Sequence, residues 1–236
     1  MHRLGHTRSS YQADHLLLTA DTFVRTRLPG MENAMAIVHV SPAVGAGFTQ
    51  YTAEFEAAGK LGPTAAQRFL FVLEGEVEVA GRALAPDHYA YLPAGCDAAV
   101  AARRRARAEV IEKPYRALEG VNPPAMLVAN ERVVPSQPLT DDGDLQVRLL
   151  LPDDPAFDFA VNTMTYQPGA ALPMVEMHVM EHGLLMLAGG GIYRLGERWY
   201  PVTAGDFIWM APFCPQWFGA LGKSPAKYLV YKDWNR

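Results

Sequence analysis

Glu176-Met177-His178-Val179-Met180-Glu181-His182-Gly183-Leu184-Leu185-Met186-Leu187-Ala188-Gly189 is the stretch that decides the fold. Its first half sets two of the chain's seven histidines beside a carboxylate, and its second half is an apolar run that stops at a glycine. The first half reads as a buried strand, which puts Glu176 and His178 on one face because strand side chains alternate. His182 joins them one bend later from the next strand. Gln216, in Phe213-Cys214-Pro215-Gln216-Trp217, comes from a later strand of the same sheet. Two imidazoles, a carboxylate and an amide form a mixed nitrogen and oxygen donor set suited to a divalent first-row metal.

The apolar run has an earlier counterpart. Phe69-Leu70-Phe71-Val72-Leu73-Glu74-Gly75 matches Gly183–Gly189 at an offset of 114. Asp87-His88-Tyr89-Ala90-Tyr91-Leu92-Pro93 matches Gly205-Asp206-Phe207-Ile208-Trp209-Met210-Ala211 at an offset of 118, so a longer hairpin is expected in the second half. Turn residues, with 20 Gly and 18 Pro, separate short β-rich segments from Ala36–Val40 and Gly47–Glu56 through to Asp206–Met210 and Lys227–Tyr231. Such spacing predicts an all-β sandwich or barrel with little helix, placed near the junctions. Two copies of one β unit explain the length better than one large sheet. The expected units are residues 1–130 and 131–236, joined near Gly120–Gln137.

Bulk properties exclude several classes. A net charge of −4 leaves no footprint for nucleic acid, and Arg103-Arg104-Arg105-Ala106-Arg107 alternates into Glu109 and Glu112 as a solvated stretch does. No apolar stretch reaches membrane-spanning length, and Leu16-Leu17-Leu18 is too short for a signal sequence core. Cys96 and Cys214 are too few for a disulfide framework. The expectation is a soluble, cytoplasmic protein of a reducing compartment.

Each copy has the outline of a cupin. The motif H-x-H-x3-E-x6-G is similar to Glu176-x-His178-x3-His182-x6-Gly189, with the outer ligand types exchanged. The motif G-x5-P-x-G-x2-H is similar to Gly205-x5-Ala211-x-Phe213-x2-Gln216. The resemblance implies two tandem double-stranded β-helix, or jelly-roll, barrels. The first copy places Gly62, Thr64, Arg68 and Ala98 at the four ligand positions, and Thr64 and Arg68 cannot replace two neutral imidazoles. That barrel is expected to be metal-free and structural.

The set Glu-x-His-x3-His…Gln in the second of two cupin copies resembles the (S)-ureidoglycine aminohydrolase family. So do Leu28-Pro29-Gly30-Met31-Glu32-Asn33, Phe48-Thr49-Gln50-Tyr51 and the ending Lys227-Tyr228-Leu229-Val230-Tyr231-Lys232-Asp233-Trp234-Asn235-Arg236. The resemblance implies one Mn2+ per chain held by Glu176, His178, His182 and Gln216. It implies substrate contacts from Tyr193, Tyr228 and Lys232, with Glu176 and Lys232 as catalytic groups. The implied substrate is a small anion with a ureido group, whose amino group is replaced by hydroxyl in purine breakdown. It also implies a homo-oligomer, a dimer or an octamer built from dimers. A strand would put Tyr228 and Lys232, four residues apart, on one inward face.

Plainer readings stand beside these. Tyr193 and Tyr228 also fit barrel aromatics with a hydroxyl at the rim, and a lysine in the position of Lys232 is more often a solvated charge. Trp209, Trp217 and Phe213 read as core or pocket wall. Met174, Met177, Met180 and Met186 read as packing, since Met fills irregular gaps. Cys214 reads as small and apolar. His2, His6, His15, His39 and His88 read as scattered surface or structural residues. A cupin dioxygenase with a redox metal and a non-catalytic ligand-binding cupin are the competing functions, because fold alone does not set function.

Overall fold

The structure, a computed structural model, describes residues 6–140 and 142–234. His2 and the terminal Asn235-Arg236 lie outside the described residues. The chain is β throughout. Its helical turns among the described residues are three short 3-10 pieces, Ala20–Thr22, Pro42–Val44 and Glu131–Val133, the last at the junction between copies. Among the described residues, no helix is long and apolar enough to cross a membrane.

Two compact units emerge, and their boundaries differ from the expected 1–130 and 131–236. One unit comprises Met1–Phe23, Pro135–Asp153 and Phe159–Arg236, and the other Val24–Val134 and Asp154–Asp158. Each thus takes a segment from the other's stretch of sequence. The N-terminal segment is held in the C-terminal unit by backbone pairing, with Leu18 opposite Phe207 and His15 opposite Met210. Arg8 also forks onto the buried Asp206, at 2.5 and 2.9 Å. Residues 154–158 go the other way because Asp158 is fully buried among polar partners. Its carboxylate accepts from Gln67 Nε2 at 2.5 Å and from the Arg116 amide at 2.9 Å, and Lys113 Nζ lies 3.4 Å away.

In the C-terminal unit, an eight-stranded sheet runs in the order Ser10–Tyr11, His15–Leu18, Phe207–Met210, His182–Ala188, Ala226–Asp233, Phe159–Tyr166, Asp142–Leu149, Gln137–Leu139. A second sheet pairs Arg198–Thr203, Gly190–Leu195 and Gln216–Ala220. Alternate residues form its core: Met164 and Tyr166, Leu184 and Met186, Tyr228 and Val230, with Tyr193 and Phe218 from the smaller sheet. This is the period-two signature of a strand with one face turned inward. The N-terminal unit packs Tyr51, Ala53 and Phe55 with Leu70, Val72, Ala108 and Val110 by the same rule. There the ladder pairs Tyr51 with Val110, and Val110 with Leu70.

The internal repeat has a physical cause at its glycines. Gly75 and Gly189 both sit at positive φ, 72° and 63°. A Cβ at either would collide with a facing carbonyl oxygen, that of Arg105 or of Pro225. Only glycine satisfies both constraints. The longer hairpin is present, with Gly190–Leu195 and Arg198–Thr203 corresponding to the shorter Val77–Val79 and Arg82–Leu84. In the basic run of the first copy, Arg105 and Arg107 each pair with a glutamate at 2.7 Å.

Candidate metal and substrate site

Several segments of the C-terminal unit converge on the site. Strand Ala226–Asp233 carries Tyr228 and Lys232, and His182 opens strand His182–Ala188, paired with Lys232 across the ladder. Strand Gly190–Leu195 supplies Tyr193 and strand Gln216–Ala220 begins with Gln216. Glu176 and Gln216 are locked together by two backbone hydrogen bonds of 2.8 and 2.9 Å. The His178 carbonyl accepts from the Phe213 amide at 2.7 Å.

The strand expected to carry Glu176 and His178 does not form, while His182 does open the next strand as expected. Glu176 makes a single bridge to Gln216, and regular pairing resumes only at His182. The alternation there does not bury an apolar face, since Met177 and Val179 are 62% and 52% exposed. A loop nonetheless achieves the expected meeting: His178 Nε2 lies 3.2 Å from Glu176 Oε2, and the His178 and His182 rings are 5.0 Å apart. Glu176, His178, His182, Tyr193, Gln216, Tyr228 and Lys232 all line one cavity of about 150 Å³. A second cavity of about 300 Å³ shares His178, His182 and Lys232 with it and reaches Leu149, Leu151 and Trp234.

Burial sets the protonation states. It pushes His182 from 6.5 down to about 3, with Lys232 and His178 adding to the effect, so the imidazole is neutral at neutral pH. Burial also lowers Lys232, against the attraction of Glu176. Tyr193 and Tyr228 are raised well above the ordinary phenol range by desolvation first, and stay protonated as donors. Tyr193 donates to Gln216 Oε1 at 3.2 Å. The Tyr228 hydroxyl is 2.7 Å from that of Tyr166, a residue the sequence reading passed over. The signal was available, since Tyr166 shares the inward register of Met164 on strand Phe159–Tyr166.

These donors fit a divalent ion. One imidazole is held neutral, a carboxylate oxygen faces the other, and Gln216 presents an amide oxygen. The Nδ1 of His182 is buried without a hydrogen-bond partner among the described residues. A different trio among the described residues, Asp14, His15 and Cys214, has ligand atoms within 4.8 Å of one another, close enough to share an ion. Its His15 is already engaged at both nitrogens, with Asp14 Oδ1 and the Tyr200 hydroxyl, each at 2.8 Å. Burial pushes the Cys214 thiol up to about 12, so it remains a thiol rather than a thiolate ligand.

Residues 162–231 match the cupin domain family model. A protein of Oryza sativa subsp. japonica named "Probable (S)-ureidoglycine aminohydrolase" is 42% identical over 98% of this chain and 77% of its own length. The (S)-ureidoglycine aminohydrolase of Arabidopsis thaliana is 41% identical over 98% of this chain and 80% of its own. This chain belongs to the (S)-ureidoglycine aminohydrolase family. The crystal structure of protein YlbA from Escherichia coli superposes with a TM-score of 0.86 at 27% identity, covering 98% of this chain and 95% of that one. The cupin match falls within the C-terminal unit, and the all-β fold of both units fits the expected two-barrel architecture.

Some surroundings differ from expectation. Met174, Met177 and Phe213 do not pack into the core; they are 66%, 62% and 62% exposed around the site loop. Met186 is packed, and Trp209 is buried with its indole N–H donating to Glu181 Oε2 at 2.9 Å.

Proposed function

We propose that this protein hydrolyses (S)-ureidoglycine to (S)-ureidoglycolate and ammonia in allantoin and purine catabolism. The observation that carries the reading is the convergence of seven side chains on one small buried cavity, in a chain of this family. The reaction breaks one C–N bond, forms one C–O bond from water and involves no change of oxidation state.

Glu176, His178, His182 and Gln216 would hold the metal, preferentially Mn2+. When bound, the ion would supply Lewis acidity and a template for orienting the substrate. The chain's own residues do the rest. Lys232 presents a desolvated positive charge against which a substrate carboxylate is favoured. Its lowered pKa also places it nearer neutrality for proton transfer than a solvated lysine. Glu176 has a carboxylate oxygen available for the proton of water or of the departing amine. Tyr193 and Tyr228, kept protonated by burial, line the cavity as neutral hydroxyls; Tyr193 steadies the Gln216 amide oxygen, and Tyr228 can redirect its hydroxyl to a substrate oxygen.

The test is ammonia release from enzymatically generated ureidoglycine by the manganese-loaded protein, with oxygen monitored in parallel. Stoichiometric ammonia without oxygen uptake, and a poor rate on the (R) enantiomer, are expected. Oxygen consumption matched to turnover would transfer the site to a dioxygenase, and ligand binding without turnover to a binding module.

A further inference from the structure

Asn162 lies on the inward face of strand Phe159–Tyr166 and is 4% exposed. Its Oδ1 is buried without a hydrogen-bond partner among the described residues. Leaving a buried amide oxygen unsatisfied is destabilising, so its retention on a core-facing strand needs a reason. Leucine or valine would suit this position for packing alone.

The ladder shows where the amide points. Asn162 pairs with Val230, and the next inward pair along the same two strands is Ala160 with Lys232. Lys232 in turn pairs with His182. On the other side, Met164 pairs with Tyr228. Asn162 therefore sits between the row that holds Lys232 and His182 and the row that holds Tyr228. It lines the cavity of about 300 Å³ that shares His178, His182 and Lys232 with the metal-side cavity.

We propose that Asn162 is the specificity residue for the ureido group, its Oδ1 accepting an N–H of the substrate's terminal urea nitrogen. This rests on the reaction assigned above. The chemistry selects among the substrate's parts. A carbonyl oxygen repels a carboxylate, which is better placed at Lys232. It complements an N–H donor, and a neutral amide does so without adding a negative charge to the cavity it lines. The Nδ2 of the same amide can donate to the urea carbonyl, so one side chain reads both edges of the group. A site whose buried acceptor is left unpaired by the wrong ligand discriminates strongly against it.

The experiment compares two unreactive anions on the manganese-loaded full chain by calorimetry. N-carbamoylglycine keeps the terminal urea nitrogen, and N-acetylglycine has a methyl in its place. The wild-type protein should bind the first about tenfold more tightly, the scale of one buried neutral hydrogen bond. Asn162→Leu and Asn162→Val, two shapes without an acceptor, should bring the ratio near one. Manganese content should be retained, and the thermal midpoint equal or higher, because an unpaired polar group has been removed. Retention of the preference by either variant, or its absence in the wild type, overturns the proposal. Failure of the wild type to release ammonia, with the preference intact, would overturn the assigned reaction instead and leave Asn162 as a urea reader.

Discussion

Lys232 is a cation drawn out of water by the register of its strand. It faces inward with Tyr228, pairs across the ladder with His182 and shares a cavity with Glu176. Burial lowers its pKa, so the fold pays an electrostatic cost that packing does not require. Lys232→Met keeps the apolar stem and removes the charge. It should lower kcat/KM by roughly a hundredfold or more, the scale of losing a positioned charge or proton donor. Metal content should be unchanged and thermal stability equal or greater. The same change at Lys223, an exposed residue beside Gly222, should do nothing. Wild-type kinetics in Lys232→Met would return this lysine to a structural role. Spacing could place Lys232 on the same face as Tyr228, but not say whether that face was wet or dry. That depends on partners forty or more residues away in sequence.

Elements differ in how much of them the sequence discloses. Phe207–Met210 and Ala226–Asp233 announce themselves as apolar runs between turns. His15–Leu18 does not: it is four residues long, and the strand Phe207–Met210 that docks it into the sheet lies far along the chain. The loop around His178 misleads in the other direction, since its alternation imitates a strand while its apolar side chains face solvent. The His15–Leu18 element carries a pH dependence. His15 is lowered from 6.5, by burial first and Arg198 in addition, against the raising influence of Asp14. Its neutral form bridges Asp14 and Tyr200. The undocked segment takes up a proton as pH falls through about 6.5, while the docked one resists. Docking is therefore fully stable above that pH and weakens progressively below it. Amide hydrogen exchange of residues 15–18, corrected for intrinsic rates, should show protection falling between pH 7.5 and 5.5. His15→Gln should flatten this dependence, and an unchanged slope in that variant would assign it to other groups.

At the scale of the whole chain, two copies of one β unit differ at the proposed ligand positions. The repeat was legible because Gly75 and Gly189 answer the same steric demand from a facing carbonyl. The exchange of residues 6–23 and 154–158 between units was not, because it rests on side chains such as Arg8 and Asp158 whose partners are remote in sequence. The divergence itself has a clear physical form. Where the C-terminal unit has His182, the other has Arg68, whose guanidinium bonds to Glu112 at 2.7 Å and to the Gly62 carbonyl at 2.9 Å. A permanent cation in a ligand position, already paired with its carboxylate, opposes a second positive ion. Elemental analysis of the purified protein should therefore find one divalent ion per chain. His178→Ala and His182→Ala should each empty the site, because both supply inner-sphere bonds. Cys214→Ala should leave the count at one, since its buried thiol stays protonated and His15 in the same trio is already bonded at both nitrogens. Two ions per chain in the wild type would place a second metal at that trio or in the N-terminal unit. Loss of the ion in Cys214→Ala, with full occupancy in both histidine variants, would move the metal centre to Asp14, His15 and Cys214 and dissolve the assignment of Glu176, His178, His182 and Gln216.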